Sequence, residues 1–358
     1  MKSNNLSKPC IDIVLATFNG QNFLRQQIES IQKNTYYHYI NRLIVTDDGS
    51  TDHTSKLIED LASEDEKIEF HRNPKSKIGT FSPLMEKSYS ENRERFDSRP
   101  SGPIDNFSYG LSLSTSQYIM LCDQDDIWLP KKIELSYEQI YLLESTNSSE
   151  ADPALVFTDM IIVDDQLNTI ERSYFDLKKI PKDWHRNISN LAQQNVASGC
   201  TMIFNRQLLD IACPIPDNVY MHDWWLALIA KHYGKINLLD IPLILYRQHG
   251  NNTLGANKRS LYSSCMQFRK LYSQFESSYW KTVTQAKLLI IHTEKYQSIK
   301  NSQSKRLERN IPKRLLVLSN SANASRWSLL QSWFTGLLTR SHLVGKAILL
   351  IVLMVKNH

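Results

Sequence analysis

Short apolar runs alternate with amphipathic stretches through the first 165 residues of the chain. The runs have the length of buried strands, and the stretches between them repeat apolar residues at helical spacing. Strands that alternate with helices indicate βαβ units in an open sheet, whose ligands lie beyond the carboxyl ends of the strands. The five predicted strands are IDIVLA (11–16), RLIVTD (42–47), IEFHR (68–72), YIMLCD (118–123) and ALVFTDMIIVDD (154–165).

Helices are predicted after the first two strands. The second of them is expected from about Thr51 to Ala62, with Asp52 as its cap. The first is predicted from apolar residues at helical spacing, namely Phe23, Leu24, Ile28 and Ile31.

Two later segments depart from this alternation. The polar stretch at about 74–105 holds four prolines counted from Asn73 to Asn106, and it predicts a surface excursion that is partly disordered. From Arg259 onward the pattern becomes helical and basic, with neither Gly nor Pro until Pro312. We therefore predict a sheet domain over residues 1–255 and a basic helical region over 256–358.

Charge divides the chain in the same way. Residues 1–250 carry 25 Lys and Arg against 34 Asp and Glu, whereas residues 251–358 carry 17 against 3. The second region is suited to an anionic surface. Its apolar run Ala347–Val355 is shorter than the about 20 residues that span a bilayer. With Trp327, Trp333, Arg326, Arg340 and Lys346 nearby, the run predicts either an interfacial anchor or a terminal helix packed on the core.

Composition bounds the class of protein. With 358 residues, 41% of them hydrophobic and 22% charged, the chain is expected to bury a sizeable core. Its five cysteines include no CxxC pair, which argues against a disulfide framework or a zinc knuckle and indicates thiols in a reducing compartment. The first ten residues, MKSNNLSKPC, lack the apolar core of a signal peptide, so a cytoplasmic location is expected.

Three polar clusters follow predicted strands. ATFNG (16–20) has the composition of an ordinary Asn-Gly turn. In TDDGSTD (46–52), a turn at Asp48-Gly49 explains part of the cluster, and Asp47 is left at a strand end, where a carboxylate can accept a hydrogen bond from a nucleobase or ribose. CDQDDIW (122–128) crowds three carboxylates, which indicates either an exposed acidic turn or a site for a divalent cation.

Two further clusters lie later in the chain. In MHDWW (221–225), Asp223 is either a helix cap or a functional carboxylate. YRQHGNN (246–252) contains Arg247 and His249, and the histidine is a metal ligand, a phosphate contact or a solvated loop residue.

Six segments occur in a recognisable order: IDIVLATFNGQNFLRQQIESI, IVTDDGSTD, NFSYGLSLSTSQYIMLCDQDDIWLPKKI, ASGCTMIFNR, HDWW and YRQHGNN. Each is weak alone, but the ordered set resembles the family 2 glycosyltransferases, and most of all the rhamnosyltransferase-like members of bacterial surface polysaccharide synthesis. The resemblance covers roughly residues 10–252. It implies an α/β protein of the GT-A fold, with a Rossmann-like mixed sheet flanked by helices. It also implies a nucleotide-sugar donor, a divalent cation (manganese or magnesium) and inversion at the anomeric carbon.

The resemblance assigns roles to individual residues. Asp223 would be the general base. Asp125 would be the principal metal ligand, with Asp123 near both ribose and metal and His249 as a third ligand or diphosphate contact. Thr17, Asn19 and Asp47 would lie on the nucleotide side, and Gly199 and Trp224 on the acceptor side.

The chain departs from the family pattern at one point, and the absence of one signature limits the kind of reaction expected. Gly79 and Asn106 are separated by the polar excursion instead of adjoining, which affects the donor-side loop. The QxxRW signature of processive synthases is absent, so one sugar per reaction is expected. The sugar is not determined: rhamnose, and hence dTDP-rhamnose as donor, follows from the subfamily resemblance only.

The acceptor implied by the family is a glycan or a polyprenyl-diphosphate-linked glycan at the inner face of the cell membrane, where the basic region would make a peripheral contact. Two alternatives remain open: a noncatalytic nucleotide-sugar or carbohydrate binding module, and a metal-dependent nucleotidyltransferase. The second would need a basic, glycine-rich N-terminal loop that ATFNG does not provide. No nucleic-acid partner is expected, since no recognisable module accompanies the basic region.

Overall fold

The computed structural model describes residues 9–74, 102–145, 152–248, 264–300, 311–341 and 343–355. Within these ranges the strands are β1 (Ile11–Thr17), β2 (Ile40–Asp47), β3 (Ile68–Arg72), β4 (Tyr118–Asp123), β5 (Ile127–Trp128), β6 (Ala154–Val163), β7 (Thr169–Glu171), β8 (Ile203–Asn205) and β9 (Lys235–Arg247). The helices are α1 (Leu24–Gln32), α2 (Thr54–Glu64), α3 (Pro103–Leu113), α4 (Lys132–Glu144), α5 (Tyr174–Lys178), α6 (Ile188–Leu191), α7 (Arg206–Ala212), α8 (His222–Tyr233), α9 (Ser264–Lys300), α10 (Lys313–Ser319), α11 (Arg326–Phe334) and α12 (Leu343–Val355).

All described strands join one mixed sheet, in the order β3-β2-β1-β4-β8-β6-β9-β5, with β7 paired to β6. Strands β3, β2, β1 and β4 are mutually parallel, whereas β8 runs antiparallel to both β4 and β6. The five predicted strands are confirmed. Four strands were not predicted. β5, β7 and β8 are two or three residues long and carry no periodicity, and β9 was missed although it is 13 residues long.

Apolar cores cover both faces of the sheet. Along β1, Ile13 and Leu15 belong to one core and Val14 to the other, as expected for side chains that alternate across a strand. Burial on both faces explains why the predicted strands are continuous apolar runs.

Two element boundaries differ from the prediction. Helix α2 begins at Thr54, preceded by His53, and Asp52 accepts the Thr54 N–H at 3.0 Å from two residues before it. Helix α3 begins at Pro103, inside the range predicted as an excursion, and residues 75–101 lie outside the described chain.

The C-terminal helices share the Val14 core with the sheet. Tyr279 and Leu289 of α9, Leu315 of α10 and Val352 of α12 are all buried in it. Of the two predictions for the apolar run at 347–355, the structure shows a helix packed on the core. Across the described ranges, no helix is long and apolar enough to cross a membrane.

Arg340 corrects the prediction of a basic cluster facing the membrane around the run. It is 8% exposed, it donates to the Gln193 carbonyl, and its guanidinium lies 5.1 Å from the Phe275 ring centre. Arg340 therefore holds the C-terminal region to the sheet domain and cannot offer its charge to a surface.

Candidate active site

The predicted polar clusters meet at one edge of the sheet. Strands β2, β1 and β4 are adjacent and parallel, with Thr17 in register with Asp47 and Ala16 in register with Asp123. Because parallel strands end at the same edge, the three loops that follow them lie side by side.

Gln124 joins the first of these loops to the third. Its Oε1 accepts from Thr17 Oγ1 at 2.6 Å and from the Phe18 N–H at 2.9 Å, and its Nε2 donates to the Phe18 carbonyl at 3.1 Å. Sequence reasoning passed over this residue. The available signal was a neutral amide between carboxylates, since an amide can pair with both groups of a neighbouring peptide.

Asn19 and Asp47 tie the first loop to the second. Asn19 adopts a left-handed conformation (φ 50°) and its Oδ1 accepts the Thr51 N–H at 2.9 Å. Asp47 is buried and accepts the Ser50 N–H at 3.0 Å. Both residues lie at the predicted nucleotide-side edge, with side chains engaged in shaping the loops, and their contact with a nucleotide stays a prediction.

The third loop holds an acidic group of metal-ligating type. Ligand atoms of Asp123, Asp126 and Cys200 lie within 4.8 Å of one another. Cys200 comes from the 3₁₀ turn Gly199–Thr201, so the group joins two distant parts of the chain. Asp125, the predicted principal ligand, is not part of this group, and His249 lies outside the described residues.

Burial makes these carboxylates costly to ionise. It raises the pKa of Asp123 to about 7, with further contributions from the Asp125 and Asp223 charges. Burial also holds the pKa of Asp126 well above its usual range, with Asp125 and Asp123 adding to it. Asp126 Oδ1 accepts the Arg247 N–H at 3.3 Å, while its Oδ2 has no hydrogen-bond partner among the described residues.

These observations fit a bound cation. Buried carboxylates without enough donors are stabilised by a positive charge, and their oxygens are the ligands that magnesium and manganese prefer. The Cys200 thiol adds a softer donor to the set.

Two buried cations support the loop from behind. Arg247 donates to the Asp125 carbonyl at 2.9 Å, the Asp165 carbonyl at 2.7 Å and Gln26 Oε1 at 2.8 Å. Lys132 is fully buried 4.5 Å from the Trp128 ring centre, and its Nζ has no hydrogen-bond partner in the described part of the chain. Burial lowers the pKa of Lys132 to about 8.

Asp223 faces the same site from α8. The residue at the N-cap position of α8 is Met221, so Asp223 lies in the first turn and is not the cap. Its Oδ2 accepts the Gly199 N–H at 3.0 Å, and its Oδ1 lies 3.3 Å from Asn195 Nδ2. These donors lower the pKa of Asp223, but burial outweighs them and raises it to about 6.

Gly199 lies where the turn meets α8. A Cβ at this position would lie 3.2 Å from His222 Nε2 and 3.4 Å from the Asp223 Cβ. A side chain would therefore crowd His222 and require a shift of a few tenths of an ångström next to the carboxylate that the Gly199 N–H holds. Gly199 and Asp223, predicted to serve one site, are in direct contact.

Trp224 lies in the core beside this contact. It is 3% exposed, and its indole N–H donates to the Leu191 carbonyl at 2.7 Å. Trp224 therefore anchors α8 from within the core. Its role on the acceptor side stays a prediction.

Comparison with known proteins agrees with this geometry. Residues 12–85 match the family model described as glycosyl transferase family 2. An uncharacterized glycosyltransferase of Methanocaldococcus jannaschii is 22% identical over 281 residues, which are 77% of this chain and 81% of that protein. The dTDP-rhamnosyl transferase RfbG of Shigella flexneri is 24% identical over 255 residues, or 68% of this chain and 74% of that one.

The comparisons support a family 2 glycosyltransferase.

Structural similarity to a solved structure extends over nearly the whole chain. The crystal structure of TarS residues 1–349 from S. aureus, in complex with UDP-GlcNAc, matches with a TM-score of 0.50 at 14% identity, covering 96% of this chain and 90% of that one. At this identity the match speaks for the fold, which is the predicted GT-A fold.

Several supporting residues of the candidate site were missed from sequence. Cys200 was predicted only as one of five thiols in a reducing compartment, and no role was predicted for Lys132. A lysine six residues after Asp126 was the available signal for Lys132, but only the fold shows that it is buried.

Proposed function

We propose that this protein is an inverting glycosyltransferase that moves one sugar from a nucleotide-diphosphate donor to a glycan or lipid-linked glycan in bacterial surface polysaccharide synthesis. The observation that carries the proposal is the pairing of two buried acidic features at one sheet edge. One is the group of Asp123, Asp126 and Cys200, and the other is Asp223, whose pKa is raised to about 6. The group of three residues is suited to binding a cation together with a diphosphate. Asp223 is suited to removing a proton from the acceptor hydroxyl.

The donor side uses the loops that follow β1, β2 and β4. Asp123 with Asp125 or Asp126 would hold magnesium or manganese, with His249 as the further predicted ligand. When bound, the cation neutralises the charge that develops on the departing nucleoside diphosphate. Arg247 keeps the acidic loop in place through the Asp125 carbonyl.

The nucleotide itself would bind along the neighbouring loops. Thr17, Asn19 and Asp47 are the proposed contacts with the base and ribose. Gln124 would keep Thr17 aligned, because its Oε1 accepts a hydrogen bond from the Thr17 hydroxyl at 2.6 Å.

Asp223 would act on the acceptor side. With a pKa near 6 the carboxylate is mostly ionised at neutral pH, yet basic enough to take the proton of an attacking hydroxyl. The Gly199 N–H and the Asn195 amide hold it in one orientation. A single displacement, with Asp223 opposite the leaving group, inverts the anomeric carbon.

The donor proposed for the first test is dTDP-rhamnose, because the name of the Shigella relative specifies it. For the acceptor we propose a polyprenyl-diphosphate-linked glycan, which places the enzyme at the inner face of the cell membrane. Support comes from the basic C-terminal region, with 17 Lys and Arg against 3 Asp and Glu after residue 250.

The experiment is a panel of nucleotide sugars, dTDP-rhamnose included, incubated with purified protein and manganese or magnesium, and then with EDTA. We expect nucleoside diphosphate release from one donor, lost with EDTA and in Asp125→Ala. Pyrophosphate release from a nucleoside triphosphate would show a nucleotidyltransferase instead. Donor binding with no turnover across a panel of soluble and lipid-linked acceptors would favour a noncatalytic binding module.

A further inference from the structure

Helix α11 presents an unusual outer face. Trp327 is 83% exposed and Phe334 is 75% exposed, and at a spacing of seven residues they lie on the same side of the helix. The opposite side is buried through Leu329 and Ser332. A surface helix of a soluble domain usually turns polar residues outward, so two large aromatic side chains in this position mark an interaction surface.

Helix α10 lies against the other side of α11. There Lys313 and Leu316 line a groove of about 200 Å³ together with Ser328, Leu329 and Ser332. On the outer side, Arg326 is exposed and directly precedes Trp327. We call the exposed residues Arg326, Trp327 and Phe334 the aromatic-basic face.

The charge around this face has one sign. From residue 311 to residue 358 the sequence contains no Asp or Glu, and it contains five Lys and Arg besides the buried Arg340. Exposed Trp and Phe among cations suit the boundary between anionic head groups and acyl chains, where aromatic rings insert and basic side chains meet phosphate. A protein partner would need matching acidic residues and an apolar pocket, whereas a bilayer offers both components everywhere.

Hydrogen bonds join the segment that follows α11 to the candidate active site. The Thr339 N–H donates to Gln193 Oε1 at 2.5 Å, the Ser341 hydroxyl donates to Gln194 Oε1 at 2.9 Å, and Arg340 donates to the Gln193 carbonyl. Asn195, the residue after Gln194, donates to Asp223. The segment a few residues after α11 is therefore fixed next to the acceptor side of the site.

We propose that the aromatic-basic face docks the protein on an anionic phospholipid surface, with Trp327 and Phe334 inserted at the interface. The inference rests on the proposed function and deepens it, because a docked enzyme would meet a lipid-linked acceptor at the same surface. It also moves the membrane contact from the apolar run at 347–355, whose Val352 and Leu353 are buried, to α11.

The test is sedimentation of the full chain with vesicles of phosphatidylcholine alone or mixed with phosphatidylglycerol. We expect binding that needs the anionic lipid, weakens with salt, and falls about tenfold or more in Trp327→Ser/Phe334→Ser. Leu142→Ser is the matched control: Leu142 is 57% exposed on α4, which packs in the core on the other face of the sheet. The control should bind like the parent protein.

Two further measurements decide between interpretations. Trp327→Phe should keep vesicle binding while removing most tryptophan quenching by brominated lipid, because the ring remains apolar but the reporter is gone. Unchanged binding in the double serine variant would overturn the proposal. So would an absence of vesicle binding together with a concentration-dependent dimer that the same variant dissolves, since the face would then bind a second copy.

The docking result is separable from the transferase result. Vesicle binding that depends on Trp327 and Phe334 in a protein without donor turnover would leave docking standing and remove the proposed function. In an active enzyme, the double serine variant should keep its rate with a water-soluble acceptor and lose it only with a lipid-linked one.

Discussion

The pKa values of two carboxylates at opposite ends of neighbouring parallel strands are shifted in opposite directions. Asp12, at the start of β1, accepts hydrogen bonds from Arg42, Ser114, Ser116 and the Thr115 N–H. Although its burial works in the other direction, these donors hold the pKa of Asp12 below its usual value. Asp123, at the end of β4, is raised in pKa to about 7 by burial and neighbouring carboxylates.

The difference separates structural from functional charge. At the amino end of the sheet the chain supplies its own cation and donors, so Asp12 is neutralised within the fold. At the carboxyl end, Asp126 Oδ2 has no hydrogen-bond partner among the described residues, and such an oxygen suits a positive ligand from outside. A carboxylate whose charge the protein does not satisfy is a better guide to function than burial alone.

The largest expected effect is at Asp223. Asp223→Asn keeps the shape but cannot take a proton, so turnover should fall by about 10²- to 10⁴-fold. Stability should change little, because the loss of a buried carboxyl with a raised pKa offsets the loss of the hydrogen bonds that one carboxylate oxygen accepts. Nucleoside diphosphate release with acceptor present measures the first, and thermal unfolding the second. Full activity in this variant would exclude Asp223 as the base.

Asp12→Asn should lower the stability of the protein and leave its activity unchanged, the reverse of Asp223→Asn. Removing the Asp12 charge leaves Arg42 with only its pair to Glu69, which is 3.3 Å away. The cost should be about 2 to 3 kcal/mol of unfolding free energy, at or below the low end for buried pairs, because Arg42 is 22% exposed and keeps this second partner. Activity per folded molecule should not change. Urea unfolding followed by fluorescence gives the free energy, and an unaltered midpoint would show that the pair contributes little.

A smaller effect is expected from the interaction between Lys132 and Asp126, the buried pair at the acidic loop. Lys132 and Asp126 are both fully buried, and the Asp126 charge raises the pKa of Lys132 against the effect of burial. Lys132→Met and Asp126→Asn should each destabilise, and the double variant should recover about 1 to 2 kcal/mol relative to their sum. Additive costs in this double-mutant cycle would show that the two groups do not interact.

The smallest effect concerns pH. As a base, Asp223 works in its ionised form, so the rate should be half-maximal near pH 6, fall about tenfold for each unit well below that, and level off above about pH 7. Asn195→Ala removes a hydrogen bond that lowers the pKa of Asp223, and the midpoint should therefore move upward. Rates measured with saturating cation check both, and an identical midpoint in the variant would place the titration elsewhere.

Much of the fold was predictable because its signals are local. The continuous apolar runs of β1, β2 and β4 require burial on both faces, and strands with that pattern join through helices into a parallel sheet. The clusters at Asp47, Asp123 and Asp223 could be singled out because charged residues next to such runs need a reason. The packing of α12 on the core could not be predicted over a membrane contact, since a short apolar run fits both a membrane surface and a protein interior.

The sequence by itself determined the order of strands along the chain, the carboxylates at their ends and the basic character of the C-terminal region. Only the tertiary structure decided which groups meet. It brought Cys200 to Asp123 and Asp126, buried Lys132 beneath them, and turned Arg340 inward while leaving Trp327 and Phe334 outside. The physical reason is that the type and charge of a residue are local properties, whereas burial and proximity depend on how distant segments pack.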